Sequence, residues 1–245
     1  RAQPALFARV WHPLMMKVAC RIQSPIQVQG GLQTELWKGK GPMDLCSSHR
    51  AILISDAGGK ILKKPFREQL LHSTSHVQHS LQLGGKPKQG CDFATHIVRA
   101  VQRRAKVGHK CAGFVFVDLK GAFYAAIREQ CARHLHNGSD EELAHVLHSF
   151  NMPVDAMHDL HETIKQHGTI LEQGNVEPHL EALVAEFQSN TWNTVQGCHQ
   201  VVSSTRGSRP GDVFADLVFN LIASRTIKLI IQDLFDRDIG CSIEW

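Results

Sequence analysis

Two short apolar runs, Ala51-Ile52-Leu53-Ile54-Ser55 and Gly113-Phe114-Val115-Phe116-Val117, each lead into an aspartate, Asp56 and Asp118. Runs of this length, rich in β-branched and aromatic residues, read as buried strands rather than helices. Helices are patterned between them, and an α+β architecture is expected. Asp56-Ala57-Gly58-Gly59 reads as a turn, after which Lys60 opens a helix. Asp92 is suited to capping a second helix, with Phe93, Ile97 and Val101 on one face and Arg99, Arg103, Arg104 and Lys106 mostly on the others, ended by Gly108.

A helix is expected to follow Asp118 from about Gly121. Ser139 with Glu142 forms a capping box for a helix to about Phe150, and Pro153 and Pro178 suit the first turns of two more. These three make a helical insertion over residues 139–190, whose stripe of Leu180, Leu183, Val184 and Phe187 is expected to pack into the core. Thr191 to Val195 and Cys198 to Ser203 flank Gln196-Gly197 as a hairpin, and Gly207 to Gly211 is a loop leading into a long helix from about Asp212. Residues 1–49 show no sustained period and read as loops with one short helix and room for a strand.

Charge divides the chain in two. Residues 1–110 carry 18 Lys/Arg against 5 Asp/Glu, a balance of +13, and residues 111–245 carry 9 against 18, a balance of −9, although the whole 245-residue chain is only +4. The basic half should attract polyanions. Seven cysteines, odd in number and never spaced as CxxC, read as reduced thiols and point to an intracellular place, nuclear or cytoplasmic. The most apolar stretch, Leu217 to Phe235, is interrupted by Arg225 and Lys228, so no membrane association is expected. A chain that opens at Arg1 and stops at Trp245 inside an apparently continuing segment reads as part of a longer polyprotein.

A carboxylate at the end of a buried strand is placed to hold a divalent cation, and Asp118 has supporting company. Four ordered blocks provide it. They are His49-Arg50-Ala51-Ile52 through Gly59-Lys60-Ile61-Leu62; Gln82-Leu83-Gly84-Gly85-Lys86-Pro87; Phe116-Val117-Asp118-Leu119-Lys120-Gly121-Ala122-Phe123; and Gly207-Ser208-Arg209-Pro210-Gly211-Asp212 with Phe219-Asn220. In this order the blocks resemble the reverse transcriptase domain of non-LTR retrotransposons, related to group II intron reverse transcriptases.

The resemblance implies a right-hand polymerase: a basic fingers region over residues 1–110 and an incomplete palm over 111–245, with the helical insertion between motifs A and B. It implies RNA-directed DNA synthesis with Mg2+, on an RNA template with a DNA primer and deoxynucleoside triphosphates. Asp118 and the carbonyl of Leu119 would be metal ligands, Arg50 and Lys60 would hold the triphosphate, and Phe123 would lie under the incoming sugar and exclude ribonucleotides. Gly207, Ser208, Arg209 and Gly211 would contact nucleotide and template, and Lys63, Lys64, Lys86 and Lys88 would track the nucleic-acid backbone.

The chain departs from the family's pattern in motif B, where Pro210 replaces Gln, Val213 replaces Pro, and Ala215-Asp216 replaces Ser-Pro. The family's motif C, an aromatic, a variable residue and two aspartates, does not occur before Trp245, and Asp233, Asp236 and Asp238 fall at the end of the motif B helix instead. Asp118 therefore lacks a partner carboxylate within this sequence, and the chain alone is expected to be inactive. The rival reading is a degenerate, non-enzymatic remnant that binds RNA through its basic half. A zinc hydrolase built on pairs such as His145 with His148 or His158 with His161 is more distant, since neither HExxH nor HxxEH occurs.

Overall fold

The computed structural model describes residues 4–80, 82–85, 90–114, 116, 118–119, 121–132, 148 and 153–238. Its architecture is mixed α+β, built on one four-stranded sheet. The first helix, α1 (Pro4–Arg21), leads through a 3-10 turn at Ile26–Gln29 into β1 (Gly30–Trp37), which pairs antiparallel with β2 (His49–Ser55) from Gly31↔Ser55 to Trp37↔His49. Next come α2 (Ala57–Ser73), α3 (Cys91–Val107), α4 (Val154–His167), the short α5 (Ile170–Gln173) and α6 (Pro178–Gln188). The chain then returns as β3 (Thr191–Val195), parallel to β1, turns antiparallel into β4 (Val201–Ser204), and ends its described part in α7 (Ala215–Asp236). The sheet order is β2-β1-β3-β4.

Local chemistry explains most boundaries. The Asp56 carboxylate accepts the Gly59 N–H at 2.8 Å, so Asp56 caps α2 and residues 57–59 form its first turn rather than a separate turn. Gly108 ends α3, Pro178 occupies the first position of α6, and Thr169 with Glu172 makes a reciprocal capping box for α5.

The core lies among helices. Leu62 and Leu70 of α2, Ile170 and Leu171 of α5, Leu183, Val184 and Phe187 of α6, and Leu217, Val218 and Leu221 of α7 form one buried cluster with Phe214. Phe187 is its hub, with the Phe66 ring 5.7 Å away and the Phe214 ring 5.9 Å away. The expected apolar stripe of the insertion is thus core. The expected helix from Ser139 to Phe150 lies outside the described residues, apart from His148, which is helical.

Three expectations are corrected. Residues 1–49 hold an 18-residue helix, not a short one. The run Gly113–Asp118 forms no strand at its described positions, and Phe116 is 84% exposed. A strand needs a neighbour to take its backbone hydrogen bonds, and the four-stranded sheet includes none of the described residues of this segment. The expected helix from Gly121 is instead a turn, with the Tyr124 N–H donating to the Gly121 carbonyl, followed by a single 3-10 turn at Arg128–Gln130. Gly121 has φ +66°, which a continuous right-handed helix does not contain.

Candidate functional site

The four sequence blocks touch around the loop 207–212 and residues Phe219 and Asn220 of α7. Since β2 is an edge strand, its outer row of backbone groups needs partners, and this loop supplies one. The Leu53 N–H donates to the Pro210 carbonyl at 2.7 Å, and two residues along the same edge the Ala51 carbonyl accepts the Tyr124 hydroxyl at 2.8 Å. The Gly207 N–H reaches the Ala126 carbonyl at 2.9 Å, and the Ser208 N–H reaches the Phe123 carbonyl at 2.6 Å. The Phe123 ring lies 5.1 Å from that of Phe219 on α7. Gln82 donates to the Asn220 amide oxygen at 3.3 Å, and Asn220 donates to the Gly84 carbonyl at 3.0 Å.

Two glycines make this approach possible. Gly211 has φ +102°, and a Cβ there would sit 2.1 Å from the Leu53 carbonyl oxygen. Gly207 has φ +76°, and its Cβ would be 2.8 Å from the Tyr124 carbonyl oxygen. Any side chain would push the loop off β2 or off the 123–126 turn.

Beneath the loop is a buried charge cluster. Asp212 takes Lys63 at 2.8 Å and Arg209 at 3.0 Å on one oxygen and the Phe214 N–H at 3.1 Å on the other. Burial pushes the Asp212 carboxyl up, but Lys63, Arg209 and the Phe214 N–H outweigh it and hold it below its ordinary value. Burial lowers the Lys63 ammonium against the opposing pull of Asp212. Arg209 also donates to the Gln29 carbonyl at 2.5 Å, tying the loop to the sheet's entry.

Arg128, 8% exposed, is the second organiser. Its guanidinium donates to the carbonyls of Gly207 at 2.5 Å, Gln188 at 2.6 Å and Arg206 at 3.0 Å, and to the Thr191 hydroxyl at 2.9 Å. It joins α6, β3 and the loop through a fork geometry that only Arg offers. Burial lowers its pKa to about 10, which leaves it charged at neutral pH.

The expected site residues are distributed unevenly over this frame. Phe123, Gly207, Ser208, Arg209 and Gly211 come together in it. Arg50 and Lys60 are exposed, and alternation along β2 puts Arg50 on the face opposite to that of Leu53. Asp118 and Leu119 are exposed in irregular chain. Lys64 is exposed, and Lys86 and Lys88 lie outside the described residues.

Lys63 is a correction. It is 1% exposed and committed to Asp212, so it is no part of a basic surface. The reason lies in the helix period: Gly59, Phe66 and Leu70 mark the inward stripe of α2, and Lys63 falls on it. One departure from the motif B pattern has a side-chain partner: Asp216 receives both terminal nitrogens of Arg67, at 2.6 and 2.7 Å, whereas the Pro210 carbonyl that closes the β2 edge is a backbone group any residue would supply.

No protein-family model matches the chain, and no curated protein matches it. Among the described residues no three or more His, Cys, Asp or Glu side chains are grouped to hold a metal ion, and no helix is long and apolar enough to cross a membrane. Asp118 with the Leu119 carbonyl is a partial set of hard oxygen donors, of the kind Mg2+ takes, and does not by itself make a two-metal centre.

Proposed function

We propose that the chain is the fingers and partial palm of an RNA-directed DNA polymerase of non-LTR retrotransposon type, with an RNA template, a DNA primer and deoxynucleoside triphosphates as substrates. The reading is supported by the convergence of the four blocks: segments more than 150 residues apart, Leu53 and Pro210, share a backbone hydrogen bond, and the Phe123 and Gln82 segments join the same cluster. A polymerase needs its motif A turn and motif B loop side by side, because both face one nucleotide.

The residues divide the work. Arg50 and Lys60 supply positive charge for the triphosphate. Phe123, steadied by Phe219, presents an aromatic surface for the sugar. Asp118 and the Leu119 carbonyl are the ligands this chain would give to Mg2+, which polarises phosphate oxygens when bound. A two-metal centre needs a second carboxylate beside Asp118. What favours the second reading, a non-enzymatic remnant that binds RNA, is that the described residues of the motif A run lie outside the sheet, with Phe116 and Asp118 exposed.

Nucleotide capture can be read on the chain as it stands. Ultraviolet labelling with an azido derivative of dATP is expected to be saturable and to drop several-fold in Arg50→Ala and in Lys60→Ala. Equal labelling in both variants would remove the two cations from the nucleotide site.

A further inference from the structure

Among the described α-helices, α3 is the one with no fully buried residue in its 17. Ile97, Val98, Ala100, Val101 and Ala105 are half-buried and mark its inner side. At about 100° per residue, Arg99, Arg103 and Lys106 fall within roughly 60° of one another on the opposite side. All three are exposed, and the ion pairs among the described residues lie elsewhere. The one acidic residue of α3, Asp92, sits in its first turn.

Apart from Lys106, whose charge suits the last turn, such a stripe does little for the helix itself. Like charges at i,i+4 and i,i+3 each cost an isolated helix about 0.2–0.5 kcal/mol. They also gain nothing from burial. The stripe spans about 10 Å along the axis, the length over which one strand of a nucleic-acid helix presents about three phosphates at 3.4 Å each.

We infer that the Arg99–Arg103–Lys106 stripe of α3 is a docking surface for a nucleic-acid phosphate backbone, gripped without regard to sequence. In taking RNA as the polyanion the inference rests on the proposed function; in its location it goes beyond that reading, since none of these residues belongs to the candidate nucleotide site. An anionic membrane surface is disfavoured because, of the larger apolar residues of α3, Ile97, Val98 and Val101 are half-covered and only Phe93 and Val107 at its two ends are exposed, whereas interfacial helices insert a continuous apolar face.

The test is fluorescence anisotropy with a labelled RNA hairpin over a series of KCl concentrations. It compares the unaltered chain with the triple variant Arg99→Glu, Arg103→Glu, Lys106→Glu and with a control triple of equal charge change on α1, Arg9→Glu, Lys17→Glu, Arg21→Glu. Circular dichroism and Tm establish that both variants fold; should the α3 triple not fold, Arg99→Gln with Arg103→Gln takes its place. The α3 variant is expected to bind at least about tenfold more weakly, with a salt slope shallower by about 2–3, and the control to lose much less.

Equal losses in the two triples, or unchanged RNA binding in the α3 variant, would overturn the α3 assignment while leaving RNA as the partner. No RNA binding by the unaltered chain would remove both. Binding to phosphatidylserine vesicles that the α3 triple abolishes, with RNA binding intact, would reassign the stripe to a membrane surface.

Discussion

Asp212→Ala is expected to destabilise the protein by about 3–5 kcal/mol, the range for removing one partner of a buried ion pair. The cost arises from what stays behind. Lys63, with its side chain 2% exposed, would lose the carboxylate that offsets its burial, and Arg209 would lose the partner that fixes the loop. The double variant Lys63→Met with Asp212→Ala is therefore expected to be more stable than Asp212→Ala alone, because it removes the stranded amine. Urea unfolding with an unchanged slope checks both.

The pH dependence follows from the direction of the Asp212 shift. A carboxyl held below its ordinary value of 3.8 contributes stability that is fully present above that value and is lost as pH falls through the lowered folded value. The unaltered protein should lose this contribution below about pH 4, and Asp212→Ala should lack it. Equal stability of Asp212→Ala and the double variant would show that a Lys63 amine left without Asp212 costs nothing, against this account.

Arg128→Met is the second large effect, about 3 kcal/mol or more. It leaves the carbonyls of Gly207 and Gln188 without the Arg128 donor, while the Arg206 carbonyl keeps the Ser204 hydroxyl at 3.2 Å, and a buried polar group without a partner costs about 1–3 kcal/mol. At this chain length each kcal/mol lowers Tm by about 2–4 °C, so a fall near 10 °C is expected. Arg128→Lys should recover little, since one ammonium cannot span acceptors on three elements. A Tm within 2 °C of the unaltered protein would mean that water or a neighbour satisfies those carbonyls.

Much of the scaffold is legible in the sequence because it is written in local chemistry. The apolar run at Ala51 marks β2, Gln196-Gly197 marks the hairpin of β3 and β4, Pro178 marks the start of α6, and Gly108 marks the end of α3. The Gly113–Asp118 run shows the limit of that evidence. Its composition favours a strand, but strand formation depends on a neighbour, which composition does not reveal. Pro13 and the mixed aromatic pattern hide the length of α1.

The site divides in the same way. Convergence of the 123–126 turn with the 207–212 loop is foreshadowed by the order of the blocks. The separation of Lys63 from Lys60 and Lys64 is not evident in a run of similar cations, although its four-residue spacing from Gly59 and seven from Leu70 carries the signal. Arg128 has no such signal, because its partners are backbone carbonyls contributed by distant segments.

The most direct measurement is primer extension on an RNA template with Mg2+ and deoxynucleoside triphosphates. It uses the chain carried onward along its own reading frame, beside the same protein with Asp118→Asn. The account predicts DNA synthesis by the first and a loss of at least about a hundredfold in the second, the scale expected when a metal ligand is removed. No synthesis by the extended protein, shown to be folded, or equal synthesis by the two, would contradict it.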